Sequence, residues 1–200
     1  MTDLERALAD IAEVRERLGH AQRFRGYSGI AAMTSGVFAV AGGVVQALLV
    51  PTVSTVHQGH LYVALWLVCC AAAVLVNYGA IAHWYVNDAT ARDRWQTATV
   101  GYSILPALVL GATLSIALLR LNLYTLLPAV WYGCYGVGLF ASRTTLPRPV
   151  VLIASGFLLA GIGLLFVPAF IALSWWVLPL GFGLGQILIG CAIIGERNIL

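Results

Sequence analysis

Hydrophobic residues fall into four long stretches that few polar positions interrupt. Residues 27–50 and 61–86 each form one apolar run, and residues 98–142 and 150–195 are each about twice that length. An α-helix needs about 20 apolar residues to cross the roughly 30 Å hydrocarbon core of a bilayer. The first two stretches therefore predict one membrane span each, and the two longer ones must fold back on themselves.

Each of the longer stretches contains a recognisable turn. Arg120 and Asn122 interrupt the first, and Pro168 to Ser174 interrupt the second, just before Trp175. We predict an all-α integral membrane protein, a six-transmembrane-helix bundle of three helical hairpins preceded by an amphipathic cytoplasmic N-terminal helix. The predicted membrane domain covers residues 23–200, with spans at about 27–50, 61–86, 98–119, 122–142, 149–168 and 175–195.

Composition and charge agree with this prediction and add an orientation. Sixty per cent of the 200 residues are hydrophobic and ten per cent are charged, whereas soluble proteins carry about 25% charged residues. If both termini are cytoplasmic, ten of the eleven basic residues lie on the cytoplasmic side, and the exception is Arg120. Cytoplasmic loops are enriched in arginine and lysine. We expect a multi-pass protein of the bacterial inner membrane with both termini in the cytoplasm.

Two pairs of segments suggest an internal repeat. "SGVFAVAGG" at 35–43 resembles "SGFLLAGIG" at 155–163, and "YGVGLF" at 135–140 resembles "FGLGQI" at 182–187. Odd spans thus resemble odd spans and even spans resemble even spans, as repeated hairpins would. Small residues also let membrane helices approach closely, so a shared packing seam is the alternative explanation.

Residues 1–22 predict a separate amphipathic helix. Thr2 and Glu5 have the spacing of a capping box, and one face is apolar, formed by Leu4, Ala7, Leu8, Ile11, Val14 and Leu18. Such a helix either lies on the membrane surface or docks against a partner or a second copy. Arg23 and Arg25 follow it, where they can contact anionic headgroups or hold a phosphate or propionate group.

Candidate binding residues lie on one face of each even-numbered span. They are amide and aromatic side chains in otherwise apolar runs: Trp66 and Asn77, then Trp131 and Tyr135, then Phe182 and Gln186. If the three faces converge, they line an aromatic cavity suited to a lipid, isoprenoid or quinone-like molecule. The alternative is hydrogen bonding between helices by Asn77 and Gln186, together with ordinary aromatic packing.

The sequence offers little for catalysis, metals or cofactors. No acidic or basic residue falls at mid-membrane, which argues against coupled transport and general acid–base chemistry. His57 and His60 are too few for a zinc site, and His83 has no second intramembrane histidine with which to hold a haem. The four cysteines lie in apolar runs without the spacing of a metal site. We expect no cofactor, no metal and no nucleic-acid partner.

These patterns predict a non-enzymatic accessory or regulatory subunit. Its expected partners are membrane lipids and either a second copy or another membrane protein, contacted through the N-terminal helix and the glycine-rich spans. The alternative is a binder or carrier of an apolar small molecule in the aromatic cavity described above.

Overall fold

The computed structural model describes Arg6, residues 28–87 and residues 89–197, and this part of the chain is helical with no strand. The predicted N-terminal helix, apart from Arg6, and the arginines at 23 and 25 lie outside the described residues. The helices are α1 (Gly29–Leu49), α2 (Val56–Asn87), α3 (Ala91–Arg120), α4 (Leu127–Ala141), α5 (Arg148–Leu164), α6 (Ala169–Ala172) and α7 (Gly185–Arg197). A 3₁₀ turn at Tyr124–Leu126 leads into α4, and a π-helical segment at Pro179–Leu184 leads into α7.

Polar residues set several of the helix boundaries. The Ser28 hydroxyl accepts a hydrogen bond from the Ala31 amide at 3.3 Å and caps α1. Thr90 and Asp93 form a capping box at the start of α3, which satisfies amides that have no partner within the helix. α3 ends at Arg120, and Asn122 adopts a positive φ of 55° in the turn that follows. The chain thus reverses where the charge pattern predicted it to.

Within residues 28–87 and 89–197, four helices are long and apolar enough to cross a membrane: Gly29–Leu49, Val56–Asn87, Asp93–Arg120 and Pro179–Glu196. α4 and α5 contain 15 and 17 residues, or about 23 and 26 Å at 1.5 Å per residue, against a core of about 30 Å. They are shorter than the predicted spans 122–142 and 149–168 because a 3₁₀ turn precedes α4 and α5 ends four residues before Pro168. The fold is therefore that of a membrane-embedded helical bundle.

α1 packs antiparallel to the last helix through glycines spaced seven residues apart. A Cβ added at Gly29 would lie 2.7 Å from the Gly190 carbonyl oxygen, and one added at Gly36 would lie 2.6 Å from that of Gly183. One added at Gly43 would lie 2.2 Å from the Pro179 ring. Only glycine lets the two backbones approach this closely, and such contacts replace the hydrophobic effect as the source of helix association in lipid.

The two segments related by sequence, 135–140 and 182–187, pack in the same way. Gly136 lies against Ala154 and Leu158 of α5, as Gly183 lies against Gly36 and Val40 of α1. The next glycine in each segment contacts a different helix: Gly138 faces Ala107 of α3, and Gly185 faces Phe157 of α5. The sequence similarity therefore accompanies an equivalent packing role.

α4 lies at the centre of the bundle, against α3 on one side and α5 on the other. α2 packs against α1, and α3 packs against α4, but α2 and α3 make almost no contact with each other although only residues 88–90 join them. Most large side chains of α2 beyond Trp66, and most of α3, are exposed.

Candidate functional site

Trp66 takes part in a buried hydrogen-bonded bridge with Gln46. Its indole Nε1 donates to Gln46 Oε1 at 2.9 Å, and Gln46 Nε2 donates to the Leu173 carbonyl oxygen at 2.8 Å. Gln46 is 0% exposed. The amide thus joins α1, α2 and the segment before the π-helix, and it satisfies polar groups that are costly to leave unpaired in a membrane.

Asn77 lies on a different contact between the same two helices. Its Nδ2 donates to the Ser35 hydroxyl of α1 and, at 2.9 Å, to the Ala73 carbonyl oxygen of its own helix. Ser35 is buried and donates to the Ala31 carbonyl oxygen at 2.9 Å. In the described structure Asn77 is thus an interhelical hydrogen-bonding residue.

Trp131 connects three helices near the end of the bundle at which α4 begins. Its indole Nε1 donates to Ser115 Oγ of α3 at 2.8 Å. Its ring stacks on Tyr62 of α2, with centroids 6.4 Å apart and an interplanar angle of 2°. Tyr62 is one helical turn from Trp66, so the predicted faces of the second and fourth spans meet here through Tyr62.

The remaining three candidates converge. Gln186 Nε2 donates to the Tyr135 hydroxyl at 2.5 Å, and the Tyr135 and Phe182 rings lie 5.3 Å apart. Phe157 of α5 joins them, with its ring 4.9 Å from Tyr135 and 5.2 Å from Phe182. The predicted faces of the fourth and sixth spans therefore meet directly, in an aromatic cluster crossed by one side-chain hydrogen bond.

Tyr132, which the sequence did not single out, completes this cluster and reshapes the last helix. Its hydroxyl donates to the Val177 carbonyl oxygen and lies against Gly181, where an added Cβ would be 2.2 Å from the hydroxyl oxygen. In a regular α-helix the Gly181 amide would bond to the carbonyl of Val177, four residues earlier. The Tyr132 hydroxyl thus lies where the Val177 carbonyl and the Gly181 amide would otherwise meet. A side chain inserted among the backbone hydrogen bonds of a helix is a known cause of helix distortion.

The sequence analysis did not name Gln46 or Tyr132, and only Gln46 carried a signal that could have identified it. Gln46 is the single amide side chain in the first apolar run, and an amide in a span commonly hydrogen-bonds to a neighbouring helix. The role of Tyr132 had no comparable signal, because it depends on the position of Gly181 in another helix.

The histidines lie apart from these clusters. His60 Nε2 is 3.2 Å from the Tyr124 hydroxyl, which itself donates to Asn122 Oδ1 at 2.8 Å. His83 lies near the other end of α2, where its carbonyl oxygen accepts a hydrogen bond from Asn87. Within residues 28–87 and 89–197, no three His, Cys, Asp or Glu side chains are grouped to hold a metal ion.

Two surface grooves contain none of the six candidate side chains. One, of about 310 Å³, is lined by Val40, Trp175, Trp176, Pro179, Leu180, Leu184 and Ile187, and the other, of about 180 Å³, lies between α3 and α4. Both are apolar and open to the side of the bundle.

Comparison of the chain with protein-family models, curated proteins and solved structures finds no match.

Proposed function

We propose that this protein is a six-span subunit of the bacterial inner membrane with both termini in the cytoplasm. The arginine distribution supports the orientation, because Arg92 and Arg94 lie in the first turn of α3, and Arg143 and Arg148 lie between α4 and α5 and at the start of α5. The antiparallel packing supports counting α4 and α5 as spans. Gly111 and Gly138 place α4 alongside the membrane-length helix α3, and Gly136 and Gly161 place α5 alongside α4.

The proposed role is that of a non-enzymatic accessory or regulatory subunit. One observation carries it: amide side chains inside the bundle bond to polar side chains of neighbouring helices, as the Gln46–Trp66, Asn77–Ser35 and Gln186–Tyr135 pairs do. Groups used in this way hold helices together. The predicted amphipathic helix of residues 1–22 then supplies the contact with a partner or a second copy.

The test compares the full chain with a variant that lacks residues 1–22. We expect the deletion to lower the mass of the native complex extracted from membranes by at least one whole subunit, more than the 22 missing residues account for, while the membrane domain still inserts and stays folded. Ile11→Arg, on the apolar face, should act like the deletion, and Ala9→Arg, on the opposite face, is the matched control. The same subunit composition of the complex for all four proteins would refute the proposal.

Orientation has its own experiment. Single cysteines introduced near Arg92 and near Asn122, in a background without the four native cysteines, are treated with a membrane-impermeant reagent in intact cells. The proposal requires labelling near Asn122 and protection near Arg92. The reverse pattern would overturn the orientation.

A second candidate function is the binding of an apolar small molecule, which the convergence of Tyr135, Phe182 and Gln186 favours. Here the expected result is a defined ligand that stays with the protein in mild detergent and is lost in Gln186→Leu. Native mass spectrometry that finds only a random mixture of bulk lipids would count against it.

A further inference from the structure

The connection between α5 and the π-helical segment, residues 165–178, differs from the other two connections at the same end of the bundle. The one between α1 and α2 contains Thr52 and Ser54, and the one between α3 and α4 contains Asn122. Residues 165–178 have Ser174 as their one hydroxyl side chain and lie within a long stretch of sequence that has no charged residue. We call residues 165–178 the cap.

Backbone contacts place the cap below the end of α1. This helix has 21 residues, or about 32 Å at 1.5 Å per residue, so its two ends mark the two surfaces of the hydrocarbon core. The Trp175 carbonyl oxygen lies 2.9 Å from the place where a Cβ of Gly43 would lie, and Gly43 precedes the end of α1 at Leu49 by about 9 Å. The Leu173 carbonyl oxygen accepts its hydrogen bond from Gln46, which also precedes that end. The cap therefore lies at a level that lipid chains of one leaflet occupy.

Aromatic side chains cover the exposed side of the cap. Phe166 and Phe170 are 83% and 77% exposed, and Trp175 and Trp176 are 47% and 44% exposed. The apolar groove of about 310 Å³ includes the same two tryptophans and opens to the side of the bundle. The exposed side of the cap is thus continuous with the lipid-facing side of the membrane-length helices.

The backbone of the cap finds its hydrogen bonds inside the protein. The amides of Ile171, Leu173 and Val177 donate to carbonyl oxygens within the cap at 2.9 to 3.1 Å. The Ser174 hydroxyl donates to the Phe170 carbonyl oxygen at 2.6 Å. Lipid chains supply no hydrogen bonds, so irregular backbone at this depth needs such partners. The other side of the cap, with Leu173 and Val177, is buried in the bundle.

We propose that the cap is a lipid-binding surface, which lies within the leaflet in which α1 ends and places Phe166 and Phe170 among the lipid chains. Amphipathic elements that lie in the membrane interface bury their apolar side about 5–10 Å deep, and the depth of about 9 Å along α1 agrees with this range. Because the cap carries no charge, its contact with lipid does not select a headgroup. The proposal goes beyond the role proposed for residues 1–22, and their deletion leaves it unaffected.

The first experiment identifies the surroundings of the cap with a fluorescent probe in phosphatidylcholine liposomes. A nitrobenzoxadiazole probe is attached to the single cysteine of Phe170→Cys, in a full chain without the four native cysteines. Leu159→Cys is the reference for lipid, because Leu159 is 70% exposed on α5. Thr52→Cys is the reference for water, because Thr52 is exposed in the connection after α1. Brominated phosphatidylcholine quenches from the lipid, and iodide quenches from the water.

We expect brominated lipid to remove as much of the emission at Phe170 as at Leu159, and iodide to quench the probe at Thr52 alone. Iodide quenching at Phe170 as strong as at Thr52 would overturn the proposal, because the cap would then face water. Quenching by neither agent would also overturn it, because protein would then cover the cap. Melting temperatures of the labelled variants accompany the measurement. If Phe170→Cys does not fold, Phe166→Cys takes its place.

The second experiment tests for a protein partner in native membranes. The photoreactive residue p-benzoylphenylalanine replaces Phe170, or replaces Leu159 as the control for a lipid-facing position. The proposal predicts that both positions crosslink to lipids, in proportion to the abundance of each headgroup class in the membrane. Crosslinking of Phe170 to a second copy or to another protein would overturn the proposal.

Discussion

The bridge formed by Gln46 offers a direct measurement of how a polar contact stabilises this bundle. Gln46→Leu removes two hydrogen bonds, of 2.9 Å to Trp66 and 2.8 Å to Leu173, and leaves a buried indole N–H and a backbone carbonyl without partners. Interhelical hydrogen bonds in membrane proteins contribute about 0.6 kcal/mol on average and up to about 1.7 kcal/mol. We therefore expect Gln46→Leu to lower the free energy of unfolding by about 1 to 3 kcal/mol.

A double-mutant cycle isolates the Gln46–Trp66 bond from the rest of this loss. Trp66→Phe removes the indole donor and keeps an aromatic ring, and the double variant Gln46→Leu/Trp66→Phe removes both partners. The coupling energy is expected at about 0.6 to 1.7 kcal/mol. Reversible unfolding in mixed micelles, with increasing dodecyl sulfate, provides the four free energies.

Thr34→Val is the control for the loss of a polar group from α1. The Thr34 hydroxyl donates to the Ile30 carbonyl oxygen of its own helix and is exposed, so its removal should change the free energy of unfolding by less than about 0.5 kcal/mol. A coupling energy within about 0.3 kcal/mol of zero, at the limit of additivity for independent sites, would show that the Gln46–Trp66 bond contributes nothing and would refute the reasoning.

Two further predictions concern close packing, and a third concerns a hydrogen bond between helices. Gly181→Ala should destabilise the protein by more than about 1 kcal/mol, because its Cβ would lie 2.2 Å from the Tyr132 hydroxyl. Adding Tyr132→Leu to this variant should recover part of the lost stability in thermal unfolding. No recovery would contradict the proposed clash. Gly36→Ala should lower the melting temperature, because its Cβ would lie 2.6 Å from a backbone oxygen, whereas Gly156→Ala, which meets no atom within 4 Å, should leave it unchanged or raise it. Equal effects of the two substitutions would contradict this account of glycine packing. Asn77→Leu should cost about 1 kcal/mol in the same unfolding assay and leave the lipids carried by the purified protein unchanged; a selective loss of one lipid would make Asn77 a binding residue instead.

Polar and charged residues predicted the first turn of the fold because they are costly in lipid, whereas proline marks a turn only at some positions, since Pro106 lies inside α3. Arg120 and Asn122 interrupt an apolar run, and Pro168 precedes the short helix α6. The lengths of α4 and α5 were not accessible in the same way. A 3₁₀ turn such as Tyr124–Leu126 has the same composition as the helix that follows it, so hydropathy does not mark the boundary.

The sequence predicted which face of each helix carries the candidate residues, but not which helix that face contacts. Periodicity placed Trp66 and Asn77 on one side of the second span, as the structure does, but both turn out to bond to α1, through Gln46 and Ser35. The same pattern left the convergence of the faces as a condition, and the structure shows that Tyr135 meets Gln186 and Phe182 of the last helix. Small residues decide which helices pack side by side, and their contacts join positions that are far apart in the sequence. A single sequence does not specify which of these small residues meet.

The π-helical segment at Pro179–Leu184 has a consequence for how the last helix tolerates changes in length. A π turn holds about one residue more than an α turn, so it acts as an inserted residue that rotates everything after it by about 100°. Deleting one residue from this segment would restore a regular helix and turn Gln186 away from Tyr135. By contrast, deleting one residue from the exposed start of α3 would rotate only the few residues that precede the deletion, relative to the rest of that helix. The last helix therefore keeps its register through a contact with α4, and Tyr132 sets the phase in which Gln186 meets the rest of the bundle.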